Sequence, residues 1–225
     1  MYRLYHQKLC PFARKVRICL ADRGVEFRLI TENFWERRRE FIALNSALTV
    51  PVLFGPNNQS ISGSYVITEY LEEKYGQNNS LIGRNLEEKA EARRIQYWFD
   101  EKFFTEVSKH LIYEKHFKQF LNRKSSSPES YILNIASENL ITHLNYIEFL
   151  TENRQYLASD RITIADFAAS AHISIVDYFG CINWRNHPSV KSWYSLVKSH
   201  KSFDGILRDR VANITPPEYY SKLDF

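Results

Sequence analysis

Leu9-Cys10-Pro11-Phe12-Ala13-Arg14 is the stretch from which the rest of the chain can be read. Before it, Tyr2-Arg3-Leu4-Tyr5-His6 is rich in β-formers. After it, Val16, Leu20 and Ala21 share a helical face, and Gly24 stops the run. The cysteine therefore sits on a strand-to-helix turn. Pro11 falls in the first helical turn, where its missing N–H costs nothing. Free N–H groups and the helix dipole at such a position favour an anion. This predicts a thiol of lowered pKa that can act as a nucleophile. The alternative is a small, buried, apolar side chain. Ala13 stands where a dithiol motif would carry its second cysteine, so two-cysteine disulfide exchange is excluded.

The chain has 225 residues, of which 44% are hydrophobic and 15% aromatic, enough to bury a substantial core. Its net charge of +4 comes from 30 basic and 26 acidic residues with interspersed signs, which argues against nucleic acid as the main partner. Arg37-Arg38-Arg39 lies between Glu36 and Glu40 and reads as a solvated helix face. Cys10, Cys19 and Cys181 form neither a disulfide framework nor a zinc pattern, so no metal is expected and a reducing cytoplasm is. The N-terminus enters a strand pattern directly, without a signal peptide. No apolar run is long enough to span a bilayer, so membrane insertion is not expected.

Residues 1–78 alternate strand and helix signals in the order βαβαββα, which predicts a mixed sheet with helices packed on it. The second strand is expected over Glu26–Ile30, a charged helix from Phe34 to Phe41, a third strand over Val50–Phe54 and a brief fourth at Ser60-Ile61. Ser64 is expected to cap the helix that ends before Gly76. A polar stretch around 77–84 marks a boundary. From 86 to 214 the pattern is helical throughout, with an exposed loop at Asn122–Pro128 and an amphipathic helix carrying Leu133, Ala136, Leu140, Leu144 and Ile147. Thr163-Ile164-Ala165-Asp166 is a capping box ahead of an almost wholly apolar helix. Residues 215–225 form a proline-marked tail.

These pieces resemble the glutathione S-transferase superfamily. The resemblance rests on Cys10-Pro11-Phe12 after the first strand, Leu44-Asn45 with Val50-Pro51-Val52-Leu53 downstream, Ser64 opening a helix, and the Thr163–Asp166 box. It implies a thioredoxin-like N-terminal domain, an all-α C-terminal domain and a cis Val50-Pro51 bond. It also implies that Val50 offers its backbone to the cysteinyl part of glutathione and that Gly63 and Ser64 receive the γ-glutamyl end. The superfamily usually carries Glu or Asp where this chain has Gly63. The carboxylate for the glutathione α-amino group is therefore missing, and glutathione binding is expected to be weak or absent. Tyr5 and His6, near sites where some classes keep a catalytic group, rank below Cys10.

Other stretches resemble a bacterial branch of that superfamily whose members bind the tubulin homologue FtsZ at the division site and are thought to be dimeric. They are Asn33–Phe41, Trp98–Phe103, His143–Ile147, Val176–Gly180, Asp209-Arg210-Val211, Pro217–Tyr220 and Leu223-Asp224-Phe225. The resemblance implies a cytoplasmic division factor that binds FtsZ filaments and promotes constriction as a homodimer, without required glutathione chemistry. The alternative is a glutathione-dependent thiol transferase whose Cys10 thiolate attacks a mixed disulfide that glutathione resolves. Two surfaces are expected to meet partners, either FtsZ or later components of the division machinery. One is Phe34, Trp35 and Arg38, where aromatic and arginine anchors stand among charges. The other is Tyr219, Tyr220, Leu223, Asp224 and Phe225. Against these stand a Trp35 packed on its own protein and a tail folded back over the core.

Overall fold

The computed structural model describes residues 1–77, 79–121 and 127–223. Four strands, β1 (Tyr2–His6), β2 (Phe27–Thr31), β3 (Val52–Phe54) and β4 (Ser60–Ser62), form one sheet in the order β2-β1-β3-β4. β1 pairs in parallel with β2, and the other pairings are antiparallel. A parallel pair needs a crossover, and α1 (Pro11–Asp22) supplies it. α2 (Arg39–Leu44) and α3 (Ser64–Tyr75) complete the βαβαββα order. Val50-Pro51 is cis.

Two local expectations are corrected. The charged helix over 34–41 is broken: Phe34–Glu36 forms a single 3₁₀ turn, and Arg37 follows it in a left-handed conformation, φ 52°. The serine expected as a cap is instead the first helical residue of α3. Gly63 holds the cap position at φ 87° and ψ 128°, and no side chain caps the helix.

The second half begins with α4 (Leu86–Tyr97), capped by the Asn85 side chain, which accepts the Glu88 N–H at 2.8 Å. The helix runs on through wide π turns at Trp98–Ser108, then α5 (Lys109–Ile112), a second π stretch at Tyr113–Phe117 and α6 (Lys118–Leu121). The loop expected at 122–128 lies largely outside the described residues. α7 (Ser130–Thr151), α8 (Ile164–Tyr178), α9 (Pro188–Lys198) and α10 (Asp204–Leu207) follow. Among the described residues, the only β-structure beyond Ser62 is one bridge between Val211 and Ile214.

α8 is the axis of this half, and all fifteen of its residues are buried. A helix without a solvent face must satisfy its polar groups internally. The Asp166 carboxylate accepts the N–H groups of Thr163 and Leu157, each at 2.9 Å, and the Trp193 indole at 3.0 Å. The Thr163 hydroxyl takes the Ala165 N–H at 3.3 Å, and the capping box with Asp166 is formed in both directions, as the sequence predicts. Ser174 accepts from Arg14, and Asp177 accepts from Trp184.

α1 lies between sheet and bundle, and among its buried side chains are three charges, Arg14, Lys15 and Arg17. Lys15 pairs with Asp100 of the π segment. Arg17 grips Asp209 with two hydrogen bonds of 2.7 and 2.9 Å. Arg14, fully buried, donates to the Lys8 carbonyl, Ser174 and the Tyr220 hydroxyl. The stretches outside the pocket that carry the family resemblance also meet one another. Trp98 donates to His143 at 3.1 Å and packs on Tyr146, and the Tyr178 hydroxyl accepts from Val211 N–H and donates to the Ile214 carbonyl. These stretches hold the fold together.

Candidate functional site

Cys10 holds the N-cap position of α1 with Pro11 behind it, as the strand-to-helix turn requires. Its thiol donates to the Val50 carbonyl at 3.6 Å. Pro51 in turn accepts the Gly63 N–H through its own carbonyl at 3.2 Å. The structure thus brings Cys10, Val50, Pro51, Gly63 and Ser64 into one continuous line along the sheet's end. Gly63 is exposed and Ser64 is buried at the start of α3, whose first-turn N–H groups have no intrahelical partners.

The expected direction of the Cys10 pKa is reversed. Desolvation by close packing around the half-buried residue pushes the thiol up to about 11. The N–H groups of Ala13 and Phe12, and the charges of Arg14 and Lys15, pull the other way and lose. A helix start lowers a thiol's pKa only where the thiolate keeps enough compensating solvation. Alkylation of Cys10 by iodoacetamide, followed by peptide mass spectrometry, should therefore rise about tenfold per pH unit between pH 7 and 10, without a plateau. Because the folded pKa lies above the usual thiol value, the group's contribution to stability is present below pH 9 and is lost as pH rises towards 11.

Beside Cys10 opens a cavity of about 340 Å³ between the two halves. Phe12, Phe34, Phe104, Ile112 and Phe117 stand in its mostly apolar wall, and Lys109 is the one charged residue of its lining. Of its lining, the Leu9–Phe12 turn, Phe34 and Val50 were singled out from sequence. Phe104, Lys109, Ile112 and Phe117 were missed because they lie on or beside the π turns, whose wider winding shifts the faces a 3.6-residue period would assign. The signal available was the aromatic run through Phe99, Phe103, Phe104, Phe117 and Phe120, too dense for a single buried stripe.

The other expected anchors lie apart. Trp35 is half-buried and stacks on Phe120 at 5.1 Å, close to Phe117 at 5.5 Å. Phe34 packs edge-on against both Trp35 and Phe117. The exposed Arg38 pairs with the buried Glu32 carboxylate. Tyr219 is half-buried, and Leu223 is 48% exposed. Tyr220 is corrected as a partner contact: it is fully buried, with its ring edge-on to Tyr178 and its hydroxyl between Arg14 and the Ile206 carbonyl. The short 3₁₀ turn Glu218–Ser221 folds it back, so the tail is not simply extended. Asp224 and Phe225 lie outside the described residues.

The model of the N-terminal glutathione S-transferase domain matches residues 9–74, and that of the C-terminal domain matches residues 112–205. FtsZ-localized protein A of Caulobacter vibrioides is 39% identical, over 99% of this chain and 97% of that protein. The crystal structure of a glutathione S-transferase from Rhodospirillum rubrum F11 superposes with a TM-score of 0.95 at 41% identity and covers the whole of both chains. The structure of FzlA from C. crescentus superposes with a TM-score of 0.94 at 39% identity, over all of this chain and 99% of that one. A thioredoxin-like half and a helical half closing over one cavity, matched end to end by such relatives, place this chain in the glutathione S-transferase family.

Proposed function

We propose that this protein is a transferase-like division factor. In this reading it binds FtsZ filaments in the cytoplasm at the division site, acts as a homodimer and promotes constriction without needing glutathione. The observation that carries the proposal is the 39% identity to FtsZ-localized protein A along nearly the whole of both chains. The high pKa of Cys10 supports it, since a protonated thiol is a poor nucleophile for thiol transfer. The FtsZ-facing surface is assigned to Phe34, Trp35 and Arg38. Tyr219, Leu223, Asp224 and Phe225 are assigned to FtsZ or to a later component of the division machinery. Exposed Tyr65 and Val66 on α3 and Tyr97 on α4 offer apolar surface for a second copy.

Co-sedimentation with GTP-assembled FtsZ tests the proposal. The chain should pellet with the filaments. Trp35→Ala should still fold cooperatively while weakening pelleting by about tenfold or more, as for an aromatic anchor. A parent chain that stays in the supernatant would overturn the proposal.

The glutathione half of the reading has its own measurement. Loss of a charge-assisted hydrogen bond at Gly63 removes about 1.5–3 kcal/mol, or one to two orders of magnitude in affinity. Calorimetry should therefore find weak or no glutathione binding, and a low-micromolar dissociation constant would restore the enzyme reading. Gly63→Glu has an open path for its side chain, with no atom closer than 4.0 Å to a Cβ placed there. It should strengthen glutathione binding by about tenfold or more. At φ 87° the same change should lower stability by about 1–3 kcal/mol, because a residue other than glycine is strained there.

A further inference from the structure

We propose that a cleft where α3, the linker after it, the start of α4 and the turn before α8 meet binds a diphosphate group, gripped by Arg161 with Arg84 and Lys89 beside it. The proposal goes beyond the division reading and stands independently of it.

The cleft has a volume of about 610 Å³, in the small-molecule range of roughly 300–1,000 Å³. Its walls are held from within. The Leu81 N–H donates to the Glu72 carboxylate at 3.0 Å, and the Leu81 carbonyl accepts the Ile164 N–H at 2.8 Å. The linker is thus pinned to α3 on one side and to the start of α8 on the other. A site whose walls are already fixed loses little to ordering when a ligand arrives.

Charge selects the ligand class. Of the three acids in the lining, Glu72 is paired with Arg23 at 2.7 Å and Glu69 with Arg93 at 3.0 Å. Arg84, Lys89 and Arg161 are then offset only by Glu73, which is exposed. Arg84 lies 3.9 Å from Asp160, and both side chains are more than half exposed, so that pair holds it weakly. Among the described residues, neither Lys89 nor Arg161 has an ion-pair partner. Arg161 is the decisive residue. Its Nε and Nη2 are buried and, among the described residues, have no hydrogen-bond partner. Those two nitrogens form an edge of the guanidinium that grips an oxyanion with two parallel hydrogen bonds. Buried donors without acceptors are costly, and an oxyanion that draws this edge into the cleft removes the cost. A single carboxylate would fill the Arg161 edge and leave Arg84 and Lys89 unused. A diphosphate carries oxygens and charge enough for all three.

Calorimetry on the full chain with inorganic pyrophosphate, orthophosphate, acetate and ADP, at matched ionic strength and without divalent cations, tests the site. Pyrophosphate should bind once per chain, orthophosphate more weakly and acetate not measurably. ADP binding more tightly than pyrophosphate would support a nucleotide as the source of the diphosphate, and ADP binding no more tightly would support the free ion. Arg161→Gln should weaken pyrophosphate by about tenfold or more, and Arg161→Lys, which keeps the charge but loses the fork, by less. Lys89→Gln should weaken it by about threefold. Lys222→Gln, at an exposed lysine outside the cleft, should leave it unchanged. Circular dichroism checks that each variant folds. If Arg161→Gln does not, the double variant Arg84→Gln/Lys89→Gln takes its place and should weaken pyrophosphate by about tenfold. The absence of saturable binding, several ions per chain, an unchanged affinity in the folded Arg161→Gln or double variant, or an equal loss in Lys222→Gln would overturn the site.

Discussion

Tyr220→Ala should destabilise the protein by about 3–5 kcal/mol, as expected for removing a fully buried aromatic ring. The ring packs edge-on against Tyr178 at 5.1 Å, and its hydroxyl receives a hydrogen bond from the buried Arg14 guanidinium at 3.2 Å. Alanine would leave both a cavity and a buried cation with one partner fewer. Tyr220→Phe keeps the ring and should lose only about 1–3 kcal/mol, the range for leaving a buried donor unpaired. Urea denaturation of the two variants beside the parent would measure the difference. Truncations divide along the same line. Removing residues 219–225 deletes Tyr220 and should unfold a large fraction of the chains. Removing only 223–225 spares it and should leave stability within about 1 kcal/mol of the parent. A division defect in cells carrying the shorter truncation would then report on partner contact rather than on folding. If Tyr220→Ala proves as stable as the parent, the tail is not part of the core.

Asp166→Ala should have an effect of similar or greater size. Its carboxylate satisfies the Thr163 and Leu157 N–H groups and the Trp193 indole, all in the interior. Each buried donor left without an acceptor costs about 1–3 kcal/mol, so a combined loss of about 3–5 kcal/mol is expected. Asp166→Asn keeps one carbonyl oxygen and should recover part of that loss. Thermal unfolding followed by circular dichroism separates the two. A change below about 1 kcal/mol in Asp166→Ala would mean that the surrounding donors find other acceptors.

The sequence revealed what is local. A β-rich run ending in Cys10-Pro11 announces a strand, a turn and a helix within a dozen residues. The Thr163–Asp166 box announces a helix start within four. The family resemblance carries the order of the larger pieces. Features formed by distant residues were not legible. Lys15 and Asp100 are 85 residues apart, and Arg14 and Tyr220 are 206. Nothing beside Arg14, Lys15 or Arg17 in the sequence says that three charges on one helix face inward. At Cys10 the local rule gave the wrong direction, because burial by residues from several elements outweighs the helix start. At Ser64 it misplaced the cap by one position, since Gly63 adopts a backbone conformation that most residues resist. The cavity was hidden for a related reason: the π turns rephase the helix, so Phe117 converges with Phe104 and Ile112 where an α-helical count would place it on another face.

The inward-facing charges of α1 impose an order on birth as well as on structure. A ribosome adding about 5–20 residues per second makes Arg14 roughly 10–40 seconds before it makes Tyr220, 206 residues later. During that interval Arg14 can reach the Lys8 carbonyl, but the other partners of Arg14, Lys15 and Arg17 are still being added. The partners that lie outside the thioredoxin-like half, Asp100, Ser174, Asp209 and Tyr220, arrive in that order. A prematurely terminated chain is left with these three charges short of the partners they bury against in the finished molecule.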